Sequence, residues 1–540
     1  MYVDLETIKL LWPELILVLL ASWIYIGGTI QQSRLWWTLF SLAGYLVAGY
    51  AVLSGEARLW HGPEAGDAYI GSGPLAVDYL GYIVRLFAVG IGILFALVAS
   101  SAARRELASE LLATLMLLVA GLMLVARAND LVFLFVSLEL VSIPTYVLLY
   151  IGRRDRATSE AAVKYFFLSI LSSGILLYGM TMLYGIAGTT TISGADASIR
   201  AAMLGSSSLV GLAPVALILI FAGLGFKITA VPFHFYAPDV YQGATNANAG
   251  LLAVAPKIAG IIALIRLVVV AMPSGPETNV SEFAWQLTIV LALLTMTLGN
   301  VCALWQQNIR RMMAYSSIAH AGYMLIGVSV ALAASGSYGG ISATLFYLIV
   351  YAFGSLGTFA ALVSLSSEQR EISSLEELAG LGKTRPLAAA AIAVCMFSLA
   401  GIPPLAGFWG KLTLFSSSIR LALDPAHDAL GFWFILLAIG GAVNAAIAAT
   451  YYLRVVATMY FQPSKIDITA RSRNTASLAM GFAALVVVAV GALPRSVMSV
   501  TERADAVSAL PRLAIRQAVS TEKVVVSDVV TGGRKPAAQN

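Results

Sequence analysis

About fourteen runs of roughly 20 mostly apolar residues, set in series with short polar joints, leave this chain few ways to fold. A backbone in hydrocarbon must satisfy its N–H and C=O groups internally, so runs of this length are read as membrane-spanning helices. The composition agrees. Of 540 residues, 59% are hydrophobic and 11% charged, whereas soluble domains carry roughly 25% charged residues. The reading is an all-α polytopic membrane protein whose solvent is lipid. The net charge of +5 comes from basic residues scattered over the joints, which speaks against a nucleic-acid partner. Cys302 and Cys395 both lie in apolar runs and cannot by themselves form a metal site or a disulfide framework. Asp4, Glu6 and Lys9 precede the first run, and no small-residue cleavage site follows, so the first span is expected to be retained.

Two spans are interrupted. The seventh, near 208–235, contains Pro232. The twelfth, near 386–418, contains Gly401-Ile402-Pro403-Pro404, then Gly407 and Gly410. Proline removes a backbone donor and clashes with the preceding turn, so both helices should break. Broken helices at membrane depth line protein or water, and transporters use them in matched pairs. The breaks are five spans apart, which predicts two five-helix repeats; an odd number of helices per repeat inverts one copy. The expected organisation is three helices over 1–100, a first repeat over 101–272, a second over 284–461, a last span at 474–494 and a polar tail over 502–540, disordered from Thr531. Loops leaving odd-numbered spans hold about fourteen Lys and Arg, against about four (Arg58, Arg127, Arg200 and Arg420) for the others. That bias puts the odd-to-even loops in the cytoplasm and both termini outside. Arg85 and Arg266 sit near span ends, where they are expected to snorkel.

Charges at bilayer depth are costly and mark ion or proton paths. Glu139 lies mid-way along the fifth span. Lys227 lies one turn before Pro232, Lys257 directly follows Pro256, and Lys411 follows the second break. A desolvated lysine beside a movable carboxylate can be loaded and unloaded with a proton, which makes Glu139 and Lys227 a candidate switch. His234, beyond Pro232, and His320, in the tenth span, are candidate accessory groups, since imidazole titrates near neutral pH; hydrogen-bonded structural histidines are the alternative. Lys164, near the start of the sixth span, either faces inward as a further accessory group or meets lipid headgroups. No Gly-rich dinucleotide loop, phosphate loop or metal-ligand spacing is visible, so redox cofactors are expected on other chains.

Several long runs resemble the antiporter-like membrane subunits of respiratory complex I over roughly residues 100–460. They are Phe226-Lys227-Ile228-Thr229-Ala230-Val231-Pro232-Phe233-His234 through Gly243-Ala244, Arg310-Arg311-Met312 through Gly322-Tyr323, and Ser398-Leu399-Ala400-Gly401-Ile402-Pro403-Pro404 through Gly410-Lys411. Pro238-Asp239-Val240-Tyr241-Gln242-Gly243-Ala244 and the lysine at 411 are similar to one of three sister subunits. Thr245-Asn246-Ala247-Asn248 departs from a proline-containing stretch of the family, which bears on the local loop geometry. The resemblance implies fourteen helices with inverted repeats and outside termini. It implies Glu139 and Lys227 as the coupled pair, Lys257 as the central relay and Lys411 as the relay of the second half. It also implies NADH, flavin, iron–sulfur clusters and quinone on partner membrane and peripheral subunits, with a bacterial plasma membrane as setting. Two other readings share these residues: a subunit of a multisubunit cation/proton antiporter, and a static scaffold whose charges bond to one another.

Overall fold

The computed structural model describes residues 5–55, 70–102, 105–152, 155–193, 198–205, 208–272, 279–334, 338–367, 370–464 and 474–505. Three helices lead: α1 (Trp12–Ile30), α2 (Arg34–Gly55) and α3 (Tyr79–Ala102). The first repeat follows with α4 (Ala108–Arg127), α5 (Leu131–Gly152), α6 (Arg156–Ala187), the broken pair α7 (Ala213–Ile228) and α8 (Ala237–Gly243), and α9 (Asn246–Leu264). The second has α10 (Asn279–Leu304), α11 (Ile309–Ala333), α12 (Gly340–Leu365), the broken pair α13 (Pro386–Ala400) and α14 (Ala406–Ala422), and α15 (Gly431–Phe461). Then come α16 (Asn474–Ala492) and the short α17 (Pro494–Glu502). Among the described residues, 13 helices are long and apolar enough to span a membrane. The second broken pair makes the fourteenth span, because its break divides the apolar run into two short helices.

Both breaks share a plan. Thr229 and Gly401 each adopt a left-handed conformation, φ 63° and φ 89°, directly after the first half-helix or its last residue. Their amides close the final turn onto Phe226 and onto Phe397 and Ser398. A proline follows three residues later in each, Pro232 and Pro404. Glycine takes a positive φ freely, whereas the β-branched Thr229 does so at a cost. On this register Lys227 lies before the first break and Lys411 after the second. The two lysines therefore occupy opposite halves of their broken helices. Pro256 and Pro144, by contrast, are carried inside continuous helices.

Lipid tails are as apolar as leucine, so helices associate here through close packing and polar contacts. Small residues supply the closest approaches. A Cβ added at Gly322 would lie 2.6 Å from the Met296 amide, and one at Gly299 would lie 2.6 Å from the Ala319 amide. This reciprocal pair joins α10 to α11. Central helices α9 and α11 are entirely enclosed, and α12 nearly so. The departing stretch at 245–248 forms an ordered helix start. Thr245 caps α9 by accepting from the Asn248 amide at 3.2 Å, and the Asn248 side chain donates to the Leu148 carbonyl at 2.7 Å.

Three expectations are corrected. Arg85 and Arg266 do not snorkel: each is buried and paired, Arg85 with Glu14 at 2.7 Å and Arg266 with both oxygens of Asp78. Arg127 and Arg200, read as loop residues, are also buried. All four lie at one end of the bundle, where α1 and α3 begin and α4 and α9 end. Isolated in the sequence, each arginine looks like an end residue; in the fold, Glu14 of α1 meets Arg85 and Asp78 before α3 meets Arg266, while Arg127 and Arg200 donate to backbone carbonyls of Leu10, Ala76, Val270 and Met272. The tail expected from 502 begins instead as packed structure. Asp505 is buried and accepts from the Ile341 and Ser342 amides at 3.1 and 3.0 Å, capping α12. Residues 506–540, including the stretch expected to be disordered, lie outside the described residues.

Candidate functional site

Glu139 projects from α5 and Lys227 from the last turn of α7. Their charged groups are 3.7 Å apart. The Ser173 hydroxyl of α6 donates to the carboxylate at 2.6 Å, and Lys227 donates to the Ser142 hydroxyl, one turn after Glu139, at 2.7 Å. Glu139 keeps 24% side-chain exposure and Lys227 only 5%. The carboxylate thus sits where the pair meets the flank of the subunit, and the amine sits inside.

Lys257 is enclosed at mid-bundle on α9. Its Nζ donates to the backbone carbonyl and, at 2.7 Å, to the hydroxyl of Ser317 on α11. The Tyr351 hydroxyl from α12 lies 2.8 Å from Ser317 Oγ, and the ammonium sits 5.0 Å above the Tyr351 ring. Gly260, one turn on from Lys257, lets α9 approach α7; a Cβ there would be 3.3 Å from the Lys227 Cβ. Among the described residues no hydrogen bond joins Lys227 directly to Lys257.

His320 continues the line on α11. Nδ1 is 2.6 Å from the Tyr347 hydroxyl and Nε2 is 2.8 Å from that of Tyr452. A neutral imidazole donates through one nitrogen and accepts through the other, so the two tyrosines are joined through the ring. Tyr452 also bonds to Ser316. Three residues past His320, the Tyr323 ring carries the Lys411 ammonium 5.1 Å from its centre. Lys411 donates to the Ala400 carbonyl at 2.7 Å, an acceptor left near the end of α13 by the break.

Lys257 and Lys411 have no carboxylate partner among the described residues; Lys227 alone has one. Carbonyl and hydroxyl oxygens accept from an ammonium and, more weakly, from a neutral amine. Both protonation states can therefore be held at these two positions without rebuilding the site.

The structure brings Glu139, Lys227, Lys257, His320 and Lys411 into one buried file across both repeats. His234 lies in the first break, half-buried, with Nδ1 enclosed and without a partner among the described residues. It stands beside the file rather than in it. Lys164 is apart from it: 44% exposed, it pairs with Glu160 at 2.6 Å and approaches Asp239 at 3.8 Å, at the end of the bundle where α6 begins. The linking hydroxyls of Ser142, Ser173, Ser317, Tyr347, Tyr351 and Tyr452 were not singled out from the sequence. Tyr347 and Tyr351, four residues apart and so on one face of α12, carry a signal visible in the sequence. No three His, Cys, Asp or Glu side chains gather as a metal site among the described residues.

Known proteins share this fold. Residues 128–427 match the family described as NADH:quinone oxidoreductase/Mrp antiporter, transmembrane. NADH-quinone oxidoreductase subunit N of Sphingopyxis alaskensis is 37% identical over 494 residues, covering 90% of this chain and 96% of the relative. The protein of that name from Trichlorobacter lovleyi is 38% identical, covering 90% and 94%. A chain of respiratory complex I from Thermus thermophilus superposes with a TM-score of 0.72 at 29% identity, covering 90% of this chain and 98% of that one. A chain of the Mrp complex from Dietzia shares the fold, with a TM-score of 0.75 at 20% identity over 93% and 97%. With more than half its length matched by the family model and relatives above one-third identity along nearly all of it, this multi-pass membrane protein belongs to the NADH:quinone oxidoreductase/Mrp antiporter transmembrane family.

Proposed function

We propose that this chain is a proton-translocating membrane subunit of an NADH–quinone oxidoreductase, and that its protons move along the file Glu139, Lys227, Lys257, His320 and Lys411. The observation that carries the reading is the buried file itself. One ion pair stands at its flank, and two lysines beyond it rest on neutral oxygens, with hydroxyls and an imidazole packed between them. Glu139 and Lys227 act as the switch. A change in charge or position at Glu139 alters how firmly Lys227 holds its proton, and the proton passes inward towards Lys257. Ser317, Tyr351 and His320 relay it to Lys411. Water completes the step between Lys227 and Lys257, where no side chain bridges. His234 hydrates and lines the first break.

NADH, flavin, iron–sulfur clusters and quinone belong to the partner membrane and peripheral subunits, and this chain couples to their chemistry through its fold. It resides in a bacterial plasma membrane with its termini on the outer side, as the loop charges favour. The relatives' names favour the redox complex over a cation/proton antiporter, whose Mrp likeness rests on fold alone. Affinity purification of the tagged full-length chain from its native membrane tests the choice. Co-purification of redox subunits with flavin and iron–sulfur absorbance is expected. A stable complex of small membrane subunits without those chromophores would replace this reading with the antiporter one.

A further inference from the structure

A cavity of about 520 Å³ opens at the end of the bundle where α12 begins and α14 stops, roofed by α17. Its walls carry opposite charges: Arg420 from the last turn of α14, and Glu502 and Asp505 from the end of α17 and just beyond. Thr413 and Ser416 line the same space, their hydroxyls donating to the Gly410 and Thr413 carbonyls at 2.9 and 3.0 Å. Arg420 donates to the Tyr338 carbonyl at 2.9 Å. Neither Arg420 nor Glu502 enters an ion pair among the described residues.

The cavity is not a port for Lys411. At about 100° per residue, Thr413, Ser416 and Arg420 point roughly 140–200° away from Lys411 around α14. Its depth suits another use. At about 1.5 Å per residue its lining runs roughly 9 Å into α12, to Phe346, and roughly 13 Å into α14, to Thr413, so its mouth opens at the end of the bundle, the level at which headgroups lie. The overlying α17 is amphipathic: Val497 and Met498 pack towards Phe346, while Arg495 and Ser499 are exposed. Such helices lie in the membrane interface.

We propose that this cavity is a binding site for the headgroup of an aminophospholipid of the phosphatidylethanolamine kind. Arg420 takes the phosphate, and Glu502, with Asp505, takes the primary ammonium. A phosphate and an ammonium joined by two carbons present opposite charges over a short span, as the cavity walls do. Phosphatidylcholine lacks N–H donors for the carboxylates, and phosphatidylglycerol lacks the cation.

The test uses the intact complex in nanodiscs of phosphatidylethanolamine, phosphatidylcholine or phosphatidylglycerol. Headgroup occupancy is read by electron cryomicroscopy and by native mass spectrometry. Phosphatidylethanolamine should fill the cavity at least about tenfold better than either other lipid. Arg420→Gln and Glu502→Gln should each lower its occupancy about tenfold, with Arg420→Lys closer to the parent protein. Equal filling by all three lipids, or occupancy unmoved in both Gln variants, would overturn the assignment. Soluble glycerophosphoethanolamine, offered to the detergent-solubilised complex, is expected to bind at least tenfold more weakly; equal binding would make the ligand a soluble phosphoethanolamine and overturn the lipid.

Discussion

Replacing Ser317 by alanine removes one oxygen from the centre of the file. That oxygen accepts from Lys257 at 2.7 Å and lies 2.8 Å from the Tyr351 hydroxyl, with Tyr241 further off at 3.4 Å. A phenol carries one proton, and the Ala253 carbonyl beside Tyr351 can only accept it, so the Ser317 hydroxyl donates towards Tyr351 while accepting from Lys257. After the change, Tyr351 keeps the Ala253 carbonyl at 2.9 Å and Lys257 keeps the Ser317 carbonyl. Neither group is stranded, so folding should survive. What disappears is the bridge through which a proton on Lys257 reaches the tyrosines around His320. A hydrogen bond involving a charged group contributes about 1.5–3 kcal/mol. If that stabilisation is lost at the height of the transfer step, the step slows by roughly 10- to 100-fold. The assay compares Ser317→Ala with Ser317→Thr in membrane vesicles, with assembly checked by subunit content. Both NADH-driven proton uptake and NADH:quinone turnover should fall in the alanine variant, and threonine should restore much of each. A fully assembled Ser317→Ala complex that pumps at the parental rate would refute the bridge.

Asp78→Ala should leave the buried Arg266 guanidinium with little beyond the Ala126 carbonyl, costing about 3–5 kcal/mol. Thermal denaturation and the yield of assembled complex should both drop, and an Asp78→Ala/Arg266→Met pair should recover part of the loss; a single variant of unchanged melting temperature would contradict the pairing. Burial pushes the Asp505 carboxyl up to about 6 from its ordinary 3.8, with Glu502 adding to the effect and bonds from Ser342 and Ile341 opposing it. The folded protein therefore holds the extra proton between those values. Its stabilising effect is complete below pH 3.8 and is lost as pH rises through 6, by at most about 3 kcal/mol. Hydrogen exchange at Ile341 and Ser342, corrected for intrinsic rates, should quicken across that window. Asp505→Asn should flatten the change, and the same pH dependence in the variant would rule Asp505 out.

Much of this architecture is legible in the sequence because a membrane imposes simple rules. A span must be long and apolar, and a proline or glycine pair at depth breaks it. Lys227, Lys257, Lys411 and Glu139 stand out for the same reason: each is costly where it sits. The linking residues are silent. Serine and tyrosine cost little in an apolar helix, because the helix backbone or a neighbour satisfies their hydroxyls, so Ser317 and Tyr347 look like their surroundings until the helices meet. The buried arginines mislead in the opposite way. Arg85 and Arg266 lie near span ends, where snorkelling is the natural expectation. Only the fold shows that Glu14, 71 residues from Arg85, and Asp78, 188 residues from Arg266, come to meet them. Lys164 and Lys257 look alike as isolated lysines, and their fates diverge through exposure alone.

Lys257 is the position at which the central claim is most open to test, since it lies between the two halves and, among the described residues, has no carboxylate to share its role. Lys257→Met keeps most of the side-chain volume and removes the proton-carrying amine. The complex is purified, shown by subunit content to be complete, and reconstituted into liposomes, where NADH oxidation and proton translocation are measured together. The account predicts that both fall sharply in a fully assembled variant. Parental proton translocation by that variant would contradict it.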